Sequence, residues 1–446
     1  MNSAGKSKAD AALRATERGD YTQALNLYAE AVHMTPRHPV LLYNYASLAR
    51  ITGDLDLALT LLNQVIDLNP DDTAAWHMRS NLRRWTPEHN HIAALTKKGQ
   101  PLHSDDTSAS KGSPKPLSPK QQVELNYALA KEHEDCGNYA EARQHLLCAA
   151  ALRRQHLNYN IQDDLDTIAA LSKKGQPLDF KEASKRKGCP SSKCVFVLGL
   201  PRVGSTLLER MLSCDKRVVA AGELPFFPQL LGRALQSAFI KQNGPHARPK
   251  SKTELVSYVD NVDWQKLGAD YLAQLPEGEF VIDKLPLNFL NIGLIQRALP
   301  HAKVIYMHRD QQDHELALMK HLFNQAYPWS YSLAEIRQYY EAATALCERA
   351  CAQSPKTIHK VSYEDLVGTP EQTLKEVSDY CGLNWQQKDL RQALQFASHN
   401  QKASTTGSAS QVRSQLHQRS VGLAKKYGWP ATDLSATQLS PPFATR

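Results

Sequence analysis

At 446 residues the chain has room for two or three domains, and 42% hydrophobic with 22% charged residues is the balance of a globular protein. Its 53 Lys and Arg against 45 Asp and Glu leave a net charge of +8, which suits an anionic small molecule or an acidic acceptor and is too mild to point to nucleic acid. No stretch of about 18 apolar residues occurs, which excludes a helical membrane span. The opening MNSAGKSKADAALRATERGD has no apolar core of signal-peptide length, and the eight cysteines complete no zinc pattern, so a reducing, cytoplasmic setting is expected.

The chain begins with a repeat. Gly19, Tyr21, Ala24, Tyr28, Ala31 and Pro36 recur as Gly53, Leu55, Ala58, Leu62, Val65 and Pro70, each pair 34 residues apart, the period of tetratricopeptide helix–turn–helix units. Small Ala24 and Ala58 let paired helices approach, the glycines sit at turns, and the prolines close each unit. Asp71 is expected to cap a further helix running to Arg84. Residues 102–119 read as a mobile insertion. Gly137, Tyr139, Ala142, Leu146 and Ala149 then echo the repeat once more. The predicted organisation is a helical repeat domain over 1–172, a basic linker over 173–192 and a second domain over 193–446. So short an array could hold a partner protein, pair two copies of the chain or brace the second domain, and the sequence does not rank these.

The second domain opens on Cys194–Glu223, CVFVLGLPRVGSTLLERMLSCDKRVVAAGE. Val195–Leu198 reads as a buried parallel strand. A glycine-bounded turn, Gly199 to Thr206, and an apolar helix follow. Strand, glycine loop and helix N-terminus together make a phosphate cradle, with backbone N–H groups pointing inward. The Gly199–Gly204 spacing is that of a Walker A loop, but Ser205 stands where the lysine belongs and the charge lies on Arg202. That argues against an ordinary kinase or ATPase. Further strands are expected at Val218–Ala221, Phe280–Ile282, Lys303–Met307 and Thr357–Val361, separated by helical stretches, which predicts a parallel α/β sheet with right-handed crossovers.

PRVGSTLLERML resembles the PRSGTTLL loop of sulfotransferases, which binds the 5′-phosphosulfate end of 3′-phosphoadenosine 5′-phosphosulfate (PAPS). The nearest likeness is to bacterial-type sulfotransferases with tetratricopeptide repeats, with a more distant one to tyrosylprotein sulfotransferases. Later segments carry the likeness on: Asp283-Lys284-Leu285-Pro286-Leu287-Asn288 for DKLPLN, Arg309 to Ala317 for RDPxDxxxS, Tyr363-Glu364-Asp365-Leu366 for YEDL, and a tail from Lys402 to Tyr427 for TASxxQVRxxxxxxSVGRW. The resemblance implies that Arg202, Gly204, Ser205 and Thr206 hold the phosphosulfate, Arg202 counting also among the catalytic groups. It implies that Arg309 holds the 3′-phosphate, that Tyr363 lies near the nucleotide and that Ser408 lies near the sulfonate. Lys284 would oppose charge developing on the leaving oxygen. Glu223, just past the second strand at the carboxyl edge, would be the general base for the acceptor hydroxyl; His308 is an alternative. No metal is required.

Four departures stand out. Val203 replaces the loop serine, Gln311 the proline, Ala317 the serine of the 3′-phosphate site, and Leu423-Ala424 the tail Arg-Trp. Losing one hydrogen bond to a charged group costs about 1.5–3 kcal/mol, unless Gln312 or Lys320 compensates; Lys425 and Lys426 are candidates for the missing tail charge. The expected activity is therefore sulfonate transfer from PAPS to a hydroxyl acceptor, protein or carbohydrate, with the rival that the chain is a repeat scaffold carrying a catalytically impaired domain.

Overall fold

The computed structural model of the chain describes residues 3–99, 116–174, 189, 191, 193–323, 325–399 and 416–429. Its N-terminal part is helical: α1 Ser3–Glu17, α2 Tyr21–Met34, α3 Pro39–Thr52, α4 Leu55–Leu68, α5 Thr73–Ser80, α6 Ile92–Gly99, α7 Pro119–Asp135, α8 Tyr139–Gln155 and α9 Ile161–Lys174. The repeat is built as its residues dictate. Gly19, Gly53 and Gly137 all take positive φ, at 78°, 100° and 86°, and each ends the first helix of a hairpin in a conformation that costs other residues steric strain. Asp20 and Asp54 follow at once, and their carboxylates accept the N–H of Gln23 and Leu57 to start the second helix. Ala24, Ala58 and Ala142 are wholly buried where the paired helices touch.

Two local expectations are corrected. Asp72, not Asp71, caps α5 by accepting from Ala75 N, and α5 stops at Ser80; Asp71 instead meets Lys98. Of the insertion expected over 102–119, residues 102–115 lie outside the described residues, and its last ones are ordered instead: Ser118 and Gln121 close a reciprocal capping box and Pro119 is the first helical residue of α7.

The second part is a five-stranded parallel sheet of β1 Cys194–Gly199, β2 Val218–Ala220, β3 Phe280–Asp283, β4 Lys303–His308 and β5 Ile358–Ser362, in the order β2-β3-β1-β4-β5. Every residue of β1 is buried, which is why that strand shows no polar alternation. Because all strands point the same way, the loops that follow them gather at one edge, and the order reverses beside β1, where α/β sheets form a crevice. The apolar core under the sheet does not stop at the helical array. Val123, Tyr127 and Ala130 of α7, Leu146 and Ala149 of α8, and Ile168 and Leu171 of α9 belong to it, whereas α1–α4 close smaller clusters of their own.

Candidate active site at the carboxyl edge of the sheet

The loop after β1 is held in a shape that admits little but its own sequence. Gly199 has φ 148°, and a Cβ there would lie 2.3 Å from the Met307 carbonyl oxygen of β4. Gly204, at φ 91°, starts helix α10 (Ser205–Leu212); a Cβ on it would lie 2.6 Å from the Tyr363 ring. Between them Arg202 sits at φ 72°, a strained conformation for a side-chain-bearing residue. Ser205 is buried and Thr206 half-buried at the start of α10. Val203 faces the core, 2% exposed, so the position that departs from the family pattern carries no polar group and turns away from the crevice.

Two arginines converge beside this loop. Arg309, just past β4, stacks its guanidinium 4.4 Å from the Tyr363 ring centre, a cation–π contact. It donates to the Arg202 carbonyl at 3.3 Å and to the Ser420 carbonyl at 2.6 Å. Removal from water and the neighbouring Arg309 push the Arg202 guanidinium down to about 10, which still leaves it charged at neutral pH. His314, wholly buried, donates from Nε2 to the Pro201 carbonyl at 2.9 Å; burial pushes it down to about 3, so it braces the loop as a neutral ring.

On the other side of the loop the residues after β2 and β3 meet. Lys284 Nζ donates to Glu223 Oε1 at 2.6 Å. Lys284 is buried, its side chain 1% exposed, while that of Glu223 is 41% exposed. The backbone is locked around them, since Gly222 N donates to Glu209 Oε1 at 3.1 Å and Lys284 N to the Gly222 carbonyl at 2.9 Å. Burial pushes Glu209 up, with Lys284 opposing. Asp283 accepts the Tyr271 hydroxyl at 2.7 Å, and burial pushes its carboxyl up to about 7.

The C-terminal stretch 416–429 closes over this edge. Both carboxylate oxygens of Asp313, 3% exposed, accept tail amides: Gly422 N at 2.6 Å and Ala424 N at 2.8 Å. Arg143 of α8 donates to the Tyr427 and Gly428 carbonyls, the Tyr427 hydroxyl bonds Glu134 of α7, and Trp429 Nε1 donates to Glu315 at 3.0 Å.

Arg202 and Arg309 line one cavity of about 580 Å³, within the range of small-molecule sites. Ala317 and Lys320 also line it, and Lys320 is held by Glu134 at 2.6 Å. Lys284 and Glu223 lie outside its lining, so the structure gives two groupings flanking one loop rather than one pocket. Gln312 is exposed, as are Lys425 and Lys426, and none of the three lines the cavity. His308 is half-buried with Lys360 among its charged neighbours, also outside it. Ser408 lies outside the described residues. Asp313 belongs to the RDPxDxxxS segment read in the sequence, but its grip on the tail had no local signal, and the cavity wall contributed by the repeats had none either.

Residues 194–387 match the family model described as Sulfotransferase family, and residues 15–82 match a tetratricopeptide repeat. An uncharacterized protein of Aquifex aeolicus (strain VF5) is 26% identical over 422 residues, covering 92% of this chain and 52% of its own length. The chain thus spans about half the length of that relative. Among solved structures, the sulfotransferase domain of the Synechococcus PCC 7002 olefin synthase aligns at 19% identity, covering 58% of this chain and 96% of the other, with a TM-score of 0.38. The sulfotransferase domain from the curacin biosynthetic pathway aligns at 19% identity over 56% and 96%, with a TM-score of 0.37. The likeness to tyrosylprotein sulfotransferases rests on sequence motifs alone. No described helix is long and apolar enough to cross a membrane.

Proposed function

We propose, for a chain whose residues 194–387 carry a sulfotransferase-family domain behind tetratricopeptide repeats at 15–82, that it transfers the sulfonate of PAPS to a hydroxyl acceptor. The observation that carries this reading is the convergence at one sheet edge of a glycine-constrained anion loop, the Arg202–Arg309 pair and the Lys284–Glu223 pair. Bound there, PAPS would supply an activated sulfonate. Arg202 and the backbone of 199–206, with Ser205 and Thr206, would hold its phosphosulfate. Arg309, whose Nε is buried without a hydrogen-bond partner among the described residues, would hold the 3′-phosphate, with Tyr363 fixing the plane of the guanidinium.

Lys284 and Glu223 divide the remaining work. Glu223 is the more exposed partner and the one an acceptor hydroxyl can reach, and it takes the hydroxyl proton. Protonation removes the negative charge that had offset Lys284. The buried ammonium then opposes the charge arriving on the leaving oxygen, where a preoriented cation in a site shielded from water is worth most. Deprotonating the nucleophile and stabilising the leaving group are thereby coupled through one ion pair. A cytoplasmic location, and proteins or a second copy docking on the repeats, belong to the same proposal.

The test is isothermal titration of the whole chain with adenosine 3′,5′-bisphosphate and with AMP, beside Arg309→Ala. The bisphosphate should bind at least about tenfold tighter than AMP, and the variant should erase the difference. No binding of either nucleotide at millimolar concentration refutes the reading. The rival of an impaired domain on a repeat scaffold draws on Val203 and on Ala317, which brings no hydroxyl to the cavity it lines; bisphosphate binding without any release of product from PAPS would favour it.

A further inference from the structure

Next to the Lys284–Glu223 pair lies a buried carboxyl that the proposed transfer leaves unused. Asp283, the last residue of β3, is 1% exposed, and Asn288, in the turn Pro286–Asn291 that follows, is fully buried. One oxygen of Asp283, Oδ2, accepts the Tyr271 hydroxyl at 2.7 Å and has the Asn288 amide nitrogen at 3.5 Å, the far limit of a hydrogen bond. The other, Oδ1, meets no donor among the described residues, and neither does Asn288 Oδ1. Buried polar atoms are nearly always partnered, yet two neighbouring side chains here each bury an acceptor that no described residue fills.

An ionised Asp283 does not fit these surroundings. A buried charge needs a partner, and the cation beside it in the chain, Lys284, gives its bond to Glu223 Oε1 at 2.6 Å. The titratable groups that face Asp283 are the Tyr271 phenol, the Cys194 thiol of β1, Glu209 of α10 and Lys284. Burial pushes the thiol up to about 12 and the phenol well above its ordinary value, so both are neutral. Glu209 repels a second carboxylate, while the Leu224 N–H and Lys284 favour one. A proton on Oδ1 resolves the mismatch: it turns an empty acceptor into a donor and gives the Asn288 oxygen the donor it lacks. The two side chains then pair as acid and amide, O–H to amide oxygen and N–H to acid carbonyl.

We propose that Asn288 holds Asp283 as the neutral acid, the Oδ1–H donating to the amide oxygen, and that the two are positioning residues which keep further negative charge away from the Lys284 ammonium. This rests on the transfer reaction proposed above. The ammonium already has Glu223 bonded to it and Glu209 within its field. With Asp283 neutral, the proton that Glu223 takes from the acceptor releases most of the charge on Lys284 toward the leaving oxygen. With Asp283 ionised, a third carboxylate on the adjoining residue would go on cancelling it. Transfer should therefore weaken as pH rises through the ionisation of Asp283, about 7, although the base Glu223 is by then fully ionised.

The experiment is infrared difference spectroscopy of the full chain from about pH 5 to about pH 9, on wild type, Asp283→Asn and Asn288→Leu, with the exposed Asp379→Asn as control. Release of bisphosphate from PAPS is followed over the same range. Wild type should show a protonated-carboxyl band that vanishes as pH rises through about 7 and that only Asp283→Asn lacks. In Asn288→Leu the band should move to higher frequency, because the acid has lost its amide partner. Bisphosphate release by wild type should fall at least about tenfold as the band vanishes, and by less than about twofold in Asp283→Asn, whose amide stays neutral. Absence of an Asp283 band at every pH overturns the proton, and an unshifted band in Asn288→Leu overturns the role of Asn288. Parallel pH profiles in wild type and Asp283→Asn overturn the effect on Lys284. A wild type that releases no bisphosphate at any pH refutes the transfer reaction, and the band then upholds or overturns the acid–amide pair by itself. Should Asn288→Leu not fold, the wild-type band still decides, because an acid that donates a hydrogen bond absorbs below one that does not.

Discussion

Asp313→Asn is the substitution whose consequence the structure specifies most closely. Each carboxylate oxygen accepts one tail amide, at 2.6 and 2.8 Å, and the asparagine amide can accept only one of them while turning an NH2 toward the other N–H. Losing one hydrogen bond to a charged group costs about 1.5–3 kcal/mol. At about 1.4 kcal/mol per tenfold, the open population of the tail should rise roughly 10- to 150-fold. The remaining ties through Arg309, Arg143 and Trp429 keep the sheet domain itself folded. Lys425 and Lys426 are exposed but lie in a helical turn, Leu423–Lys426, that must open before a protease can seat it. The assay is limited trypsinolysis scored by mass spectrometry at the Lys425 and Lys426 bonds alone, under conditions where cleavage follows the open population. Cleavage there should accelerate by at least tenfold relative to an exposed control, Asp379→Asn. A rate within twofold of wild type, with an unchanged melting curve, would refute the claim that this carboxylate is what seats the tail.

Three further outcomes are expected. Gly204→Ala must place a methyl at positive φ and 2.6 Å from the Tyr363 ring; it should cost about 2–3 kcal/mol of stability from backbone strain and crowding, read by urea melting, and Gly204→Ala with Tyr363→Ala should recover the crowding part only. Lys284→Met should lower release of bisphosphate from PAPS by about 10²- to 10³-fold while titration shows nucleotide affinity within about threefold; a comparable loss of affinity would make the lysine a binding group instead. The Asp283 carboxyl, raised to about 7, is stabilised in its protonated form by folding, so its contribution is complete below about pH 4 and is lost as pH rises through 7. Asp283→Asn should therefore be more stable than wild type at pH 8, by an amount on the order of 3–4 kcal/mol at most, with the advantage shrinking toward pH 5; melting temperatures across that range decide it, and equal pH profiles would reject the assignment.

What could be read from the chain divides along sequence distance. The repeat hairpins, the five strands and the glycine-bounded turn after β1 are local patterns, in which glycine, capping aspartate and a continuous apolar run each act within a few residues, and the structure follows them. Glu223 could be expected at the carboxyl edge because strand ends in a parallel sheet share it, whereas Arg202, Lys284 and Arg309 were singled out by the resemblance of their segments to sulfotransferase motifs. The contacts that finish the site were not legible. The Lys284–Glu223 pair spans 61 residues, and the Asp313 bonds to the tail span 109 and 111. Such pairings depend on which loops the fold places side by side, and no periodicity encodes them. The slip from Asp72 to Asp71 has another cause: adjacent aspartates are equal candidates for a cap until the backbone chooses one.

The continuity of the apolar core beneath the sheet with α7, α8 and α9 sets where this protein can be taken apart. Helix α7 is buried on two sides, Leu125, Ala128 and Leu129 toward Trp76 and Leu95, Tyr127 and Ala130 toward the sheet core. An exchange of modules cut where strands replace helices would leave the sheet without its cover, and the recipient would inherit a half-dressed domain. Cut instead within 100–115, ahead of α7, the graft would carry the last hairpin along with the sheet, and the first two repeats would become the interchangeable piece.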